Sequence, residues 1–460
     1  MYTCGPTVYQ YAHIGNFRTF VFQDLLRRLL RARGYPLLHV MNITDVDDNT
    51  ITNATAAGMS LREYTEKYTE SFWQDARLLN IEQPEIVAYA TDHVADMGAL
   101  IERLLQKGLA YRSQGSIYFS IQKFPAYGRL SKIDLSGIRP GARVDVQEYD
   151  KGDPRDFALW KAPKPGEPSW ETPVGRGRPG WHIECSAMSM KYLGESFDIH
   201  VGGVDLIFPH HENEIAQSEG ATGKPFVRYW VHSEHLIVEG EKMSKSKGNY
   251  FTLRDLLARG HKPSAIRYLL ASVPHRRQLN FTFQGLHQAA QSVERLRNLR
   301  WRLRTENFPP GEAPALAERV ARAQEEFDAA LDDDLNTAEA LAALFNLVRE
   351  VNSALDRAEF RQGDRAAIES FLTSADRIFA VLADDDHQKL AELKDELALP
   401  VPIPDGATPL DDAAVEKFLD ERAQARAHRD FQRADQIRQE LAARGILVED
   451  TRDGVRWKRK

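Results

Sequence analysis

The first 43 residues constrain the fold more than any other stretch. Residues 1–4 and 37–43 (LLHVMNI) are short apolar runs that read as buried strands. Between them, FRTFVFQDLLRRLLRARG repeats its apolar residues at helical spacing and stops at Gly34, a residue suited to a helix end. Strand, loop, helix and strand within so short a span open a parallel α/β sheet. Further helices are expected at about 60–79 and 92–107. From 111 to 179 the texture changes to short strand-like pieces rich in glycine and proline, which read as an insertion hanging from the sheet. The strand SFDIHVGG and a helix from Pro209 return to the α/β pattern, and RYWVHSEHLIV reads as one more strand. From about 283 to about 397 nearly everything is amphipathic helix. LPVPIPDGATPLDD, with four prolines and no periodicity, is a linker. Two short helices follow, then a hairpin in which ILVED and VRWK flank Asp453-Gly454.

A chain of 460 residues holds about three domains. It has no early apolar run and no stretch of 18 apolar residues, so it is expected to be untargeted, soluble and cytoplasmic. Its two cysteines, Cys4 and Cys185, exclude a disulfide framework and suit a reducing compartment. The plainer reading of two isolated thiols is a pair of inert core residues. The net charge of −7 hides an asymmetry. Residues 305–415 carry 25 acidic against 9 basic groups, whereas 416–460 carry 12 basic against 9 acidic groups and end in RWKRK. An arginine row, Arg295, Arg297, Arg300, Arg302 and Arg304, precedes the acidic block. Such local basic faces are compatible with a polyanion partner, and equally with an ordinary solvated helix surface.

Three stretches carry chemistry. In FPHHENEIAQ, His210 and Glu214 are four apart and share a helix face, but two ligands do not hold a metal and the rest must come from elsewhere. The loop GPTVYQYAHIGNFRT lies between a parallel strand and a helix N-terminus, where backbone N–H groups and the helix dipole favour anions. His13 stands just before that helix, placed to donate to a phosphate oxygen. In EKMSKSKGN, residues 241–249, three lysines fall in six positions and form a cationic loop of the kind that neutralises charge during nucleotidyl transfer. Alone it would read as a solvated basic turn.

HIGN near the start with KMSKS some 230 residues later resembles the signature pair of class I aminoacyl-tRNA synthetases. WHIECSAM, FPHHENEIAQS and the cysteine of YTCGPTVY are similar to the cysteinyl-tRNA synthetases, and the likeness runs through NITDVDD to ADQIRQELAARGILVEDT. The resemblance implies an α/β fold, a Rossmann-like parallel-sheet catalytic domain with an inserted connective subdomain, followed by a helical bundle and a small C-terminal α+β domain. In residue numbers this means catalytic halves at 1–110 and 180–250, a connective insertion at 111–179 and a stem-contact region at 251–290. A tRNA-binding bundle at 291–398, a linker at 399–411 and an anticodon-side domain at 412–460 complete it.

It also implies one zinc per chain on Cys4, Cys185, His210 and Glu214, with His211, Glu212 and Asn213 in supporting or structural places. His13 and Asn16 would contact the ATP phosphates, and Lys242 and Lys245 would stabilise the pentavalent transition state, Lys245 foremost. Trp181 would close over the amino acid, Thr44 and His200 would line its pocket, and Asp205 would lie near the adenosine ribose. The implied partners are ATP with Mg²⁺, L-cysteine and tRNA(Cys), with no membrane and a monomeric chain. Zinc makes sense in such a pocket. Packing alone separates cysteine from serine by only ~1–3 kcal/mol, and a soft metal favours the thiolate.

Two features depart from the family pattern. Asn16 takes the last place of the HIGH motif, which keeps a donor there. Family members also carry a segment before the first strand, whereas this sequence opens inside it at Met1, which implies either an upstream start or a sheet without that element. Two rivals stand beside the main expectation. One is a ligase of mycothiol synthesis that shares the core and joins cysteine to an amino-sugar; the other is an inactive relative that binds RNA or senses zinc.

Overall fold

The computed structural model of the chain describes residues 1–133, 153, 155–392, 412–428, 430–443, 446–451 and 454–459. They fall into two compact units, Met1–Ala391 and Glu392–Lys460. The first runs β1 (Tyr2–Thr3), α1 (Ile14–Ala32), β2 (Val40–Ile43), α2 (Asp48–Ala56), α3 (Leu61–Leu78), β3 (Ile86–Tyr89) and α4 (Val94–Gln106). It then leaves for β4 (Ala110–Ser113), β5 (Ser116–Phe119), β6 (Phe157–Lys161), β7 (Trp170–Thr172) and β8 (Gly175–Pro179). It returns through α5 (Trp181–Leu193), β9 (Phe197–Gly203), α6 (Glu212–Thr222) and β10 (Val227–Ser233).

Among the described residues, five parallel strands form the first sheet in the order β10–β9–β1–β2–β3. β1 is central, with Tyr2 opposite Val40 on one side and His200 on the other. A strand covered on both faces and paired on both edges calls for the uninterrupted apolar character of this segment. The chain continues to β2 on one side of β1 and from β9 to β10 on the other, so a crevice opens at the carboxyl ends of β1 and β9. The fold is the α/β class expected. α1 buries Phe17 and Phe20, which meet Phe72 of α3 at 6.1 and 4.9 Å between ring centroids.

The helix α2 escaped the sequence reading because DNTITNATA is rich in Asn and Thr, weak helix formers. Its cap makes it: the Asp47 carboxylate accepts from the Thr50 N–H at 2.6 Å, and the Asp47 N–H donates to the Thr50 hydroxyl at 2.7 Å. The inserted strands pair antiparallel in the order β4–β5–β6–β8–β7. Asp48 of α2 ties them down through Lys161, at 2.6 Å, and Arg178.

The single strand read in RYWVHSEHLIV is two. After β10 the chain breaks at Glu234-His235, where the Glu234 N–H donates to the His275 carbonyl and the His235 carbonyl accepts from Leu279 N–H. β11 (Leu236–Val238) joins a different sheet, with β12 (Glu241–Lys242) antiparallel on one side and β13 (Leu279–Phe281) parallel on the other. Around it lie α7 (Leu253–Ala258) and α8 (Pro263–Ala271). Helices α9 (Phe283–Thr305), α10 (Pro314–Asp332), α11 (Thr337–Asp356), α12 (Asp364–Phe379) and α13 (Asp386–Glu392) complete the unit. Arg267 of α8 is fully buried and binds Asp24 of α1 together with the Leu79 and Phe379 carbonyls. The arginine row is not a free basic face, since Arg297 turns inward onto Asp386 at 2.7 Å and Arg302 pairs with Glu306 and Asp356.

In the second unit, helices Asp412–Ala427 and Phe431–Ala443 pack with a hairpin of β14 (Ile446–Thr451) and β15 (Gly454–Arg459) around Val415, Leu419, Ile437, Leu441, Ile446 and Val448. Trp457 lies against this cluster and donates its indole N–H to Glu416 at 2.7 Å. The linker expected at 399–411 and the hairpin residue Asp453 lie outside the described residues. Among the described residues no helix is long and apolar enough to cross a membrane.

Candidate active site and metal centre

Cys4 follows β1 directly, Cys185 lies in the first turns of α5, and His210 and Glu214 occupy a wide turn, Ile207–His211, and the start of α6. Sequence separation therefore vanishes at the end of the central strand. All four side chains are buried, and their ligating atoms lie within 4.8 Å of one another. The sulfurs are 4.0 Å apart, and His210 Nε2 is 3.2 Å from Glu214 Oε1. A tetrahedral zinc with ordinary bond lengths would separate two sulfurs by about 3.8 Å and a nitrogen from an oxygen by about 3.3 Å. Burial pushes the Glu214 carboxyl up to about 8, with His210 opposing, and pushes the Cys4 thiol well above its ordinary range. Burial likewise holds His210 below its usual value and hence in the neutral form that binds metals. A buried carboxyl and two thiols of this kind call for a cation.

A second set, Cys4, His200, His211 and Glu214, also lies within reach of one ion. Of its histidines, His200 is already engaged, with Nε2 meeting Glu214 Oε2 at 2.9 Å, whereas His211 turns Nδ1 to His232 Nε2 at 2.8 Å and Nε2 toward Cys4 Sγ at 3.5 Å. The first set leaves Glu214 Oε1 buried without a hydrogen-bond partner, while His182 holds His210 through its other ring nitrogen at 3.0 Å. The residues present fit a zinc ion in the first set, with His200 and His182 orienting its ligands.

The phosphate end is built on α1. His13 caps this helix: its Nδ1 accepts from the Asn16 N–H at 3.1 Å, and the Asn16 carbonyl oxygen accepts from the His13 N–H at 3.1 Å. The His13 proton therefore sits on Nε2, and the Asn16 amide keeps its NH₂ group for donation. Burial lowers the imidazole to about 4, with Asp205 opposing and Lys245 adding to the fall. Gly15 permits this packing, because a Cβ there would stand 3.0 Å from the His13 ring and 3.2 Å from the Met243 methyl. The segment after the lysine loop is strapped to the same helix end, with the Ile14 N–H donating to the Phe251 carbonyl and Thr252 bridging His13.

Lys245 reaches this end. Its ammonium donates to Gln10 Oε1 at 2.6 Å and lies 5.1 Å from the Tyr250 ring centre. Lys242 stands exposed on β12, and among the described residues no contact joins its ammonium to His13 or Lys245. The other expected residues have these surroundings. Thr44 donates to Glu184 Oε2 at 3.0 Å and accepts from Asn42 at 3.1 Å. Trp181 is 40 % exposed with its ring 4.4 Å from His210, so it is not a core residue. Burial dominates the proton affinities of Cys4, His210 and His13, and a charge felt at all three is that of Asp205. Sequence reasoning missed Gln10, Glu184 and His182, although all three lie inside stretches it singled out.

Comparison with known proteins shows the family. The family model described as tRNA synthetases class I (C) catalytic domain matches residues 1–291, the DALR domain matches 326–383, and the cysteinyl-tRNA ligase anticodon binding domain matches 408–457. The cysteine–tRNA ligase of Solibacter usitatus is 57 % identical over 460 residues, covering 100 % of this chain and 95 % of its own. That of Koribacter versatilis is 56 % identical over 470 residues with the same coverage. Among solved structures, Mycobacterium tuberculosis methionyl-tRNA synthetase in complex with methionyl-adenylate is similar in fold at a TM-score of 0.59, with 15 % identity over 87 % of this chain and 96 % of that one. The Agrobacterium radiobacter leucyl-tRNA synthetase complex gives 0.61, with 12 % identity over 85 % of each chain. With the relatives matching along its whole length and the three domains matching in order, the chain belongs to the cysteine–tRNA ligase family of class I aminoacyl-tRNA synthetases.

Proposed function

We propose that the chain activates L-cysteine with ATP and Mg²⁺ and transfers it to the 3′ end of tRNA(Cys). The observation that carries this reading is the convergence of Cys4, Cys185, His210 and Glu214 at the end of β1, in the same crevice as His13 and Lys245. The cysteine carboxylate attacks the α-phosphorus of ATP in line; the P–O bond to pyrophosphate breaks and cysteinyl-adenylate forms. A hydroxyl of the terminal tRNA ribose then attacks the acyl carbon, and AMP leaves. Both steps depend on position and charge more than on covalent help from the protein.

The residues divide that work. His13, neutral and protonated on Nε2, donates a hydrogen bond to a phosphate oxygen beside the N–H groups of α1. Asn16 donates from its amide. Lys245, aimed by Gln10 and Tyr250, meets the negative charge that builds at the α-phosphate, and Lys242 joins it from β12 as the loop closes. Asp205 accepts from the adenosine ribose. Thr44 and His200 line the amino-acid pocket, and Trp181 closes over it. Zinc would be held by Cys4, Cys185, His210 and Glu214, and when bound it supplies a soft Lewis acid that favours a thiolate over the hydroxyl of serine.

Purified protein should support ATP–pyrophosphate exchange with cysteine but not serine, and then charge tRNA. Exchange driven equally by serine would sink the role of the metal cluster. Coupling of cysteine to an amino-sugar with no tRNA charging would establish the mycothiol-type rival instead.

A further inference from the structure

A cavity of about 700 Å³ opens between one face of α3, the end of β3 and the inserted strand β7. None of the residues placed above on the phosphates, the metal or the amino acid lines it, although Asp45, the neighbour of Thr44, does. Trp73, Tyr89 and Trp170 supply aromatic walls, and Asp45, Glu66, Glu70 and Asp92 supply four carboxylates. Arg62 is the one cation in the lining, and it is paired with Glu66 at 2.7 Å. Asp45 is held by the N–H and hydroxyl of Thr91, and the Arg62 guanidinium also feels the charge of Asp92, whereas Glu70 has no ion pair among the described residues. Burial and the charges of Asp45, Asp92 and Glu66 push the Tyr89 phenol above its ordinary range, so the negative field converges on an aromatic wall.

This volume is that of a site for a whole small ligand, not for a bare ion. Aromatic faces and unneutralised carboxylates both attract ammonium groups, and the same carboxylates repel phosphate, which excludes ATP and the tRNA backbone as occupants. We propose that the cavity binds a linear polyamine, an aliphatic chain bearing two or more ammonium groups. Its methylenes would lie against Trp73 and Trp170, with its ammonium groups toward Glu70 and Asp92.

The test is calorimetric titration of the full-length protein with spermidine, without tRNA or ATP and at constant ionic strength. One saturable site per chain is expected. Glu70→Gln with Asp92→Asn should weaken it about tenfold, and Trp170→Leu should do the same by removing the ring face. Cysteine-dependent pyrophosphate exchange, unchanged in both variants, shows that they fold. Lack of saturation, or binding that survives both variants, overturns the site. Sensitivity to the charge changes but not to Trp170→Leu means diffuse counterion association and overturns it as well. Saturation by tetralysine but not by spermidine would show a basic-peptide groove in its place.

Discussion

At the phosphate end a neutral imidazole and a fixed ammonium divide the labour, and each can be tested alone. On the proposed reading Lys245 meets charge that appears as phosphorus becomes pentavalent, and Lys245→Ala should then lower kcat for adenylate formation roughly 100- to 1,000-fold with a smaller rise in KM for ATP. A rise in KM with kcat intact would mean that the lysine serves only ground-state binding. His13 becomes charged only as the pH falls toward about 4. The ratio of exchange rates between the parent and His13→Asn should therefore stay flat from about pH 6 to pH 8; a step near 6.5 would show a titrating imidazole. At the metal end, Cys185→Ser should lower zinc content from about one per chain and abolish activation of cysteine while leaving ATP affinity intact, as metal analysis and ATP titration would show. The resemblance implies Cys4, Cys185, His210 and Glu214 as one ligand set, and the structure brings those four side chains together; both signature loops could be read directly as short runs of unusual residues. Gln10 and Glu184 could not, since their partners Lys245 and Thr44 lie 235 and 140 positions away and leave no local spacing to read.

Elements were legible where apolar period and burial agreed. α1 shows this by the helical spacing of its buried apolar residues, and β2 by a strand whose residues are all buried. α2 was hidden because a capping box, not an apolar stripe, starts it. The strand pair β10 and β11 was merged because two polar residues alone mark the step from one sheet to another. The joints between elements are polar and buried, and here the strongest is Arg267. Replacing it with Met leaves the Leu79 and Phe379 carbonyls without this donor and Asp24 with only Arg28 and the Glu82 N–H, so Arg267→Met should cost about 3 kcal/mol in denaturant unfolding, and the Arg267–Asp24 coupling can be read from a cycle with Asp24→Leu. Additive losses in the pair would mean that the two groups are not coupled.

At the scale of the whole molecule, the proposed reading assigns adenylate chemistry to the first unit and a second tRNA contact to the second. A chain ending at Pro409 should keep cysteine-dependent exchange but lose much of its tRNA charging, and charging by the intact chain should weaken steeply with added salt. Equal charging by both forms would remove the second unit from tRNA recognition. Its hairpin and the two helices before it could be anticipated from turn residues and period, but the place of Trp457, half-buried against the unit's own core and tied to Glu416, could not. The central place of β1 also has a consequence in time. β1 is the middle strand of the sheet, and its partner β9 is made almost 200 residues after it. At a synthesis rate of about 5–20 residues per second, one edge of that strand stays open for roughly 10–40 s. Cys4 spends that interval beside an unfinished sheet, before Cys185, His210 and Glu214 exist to meet it.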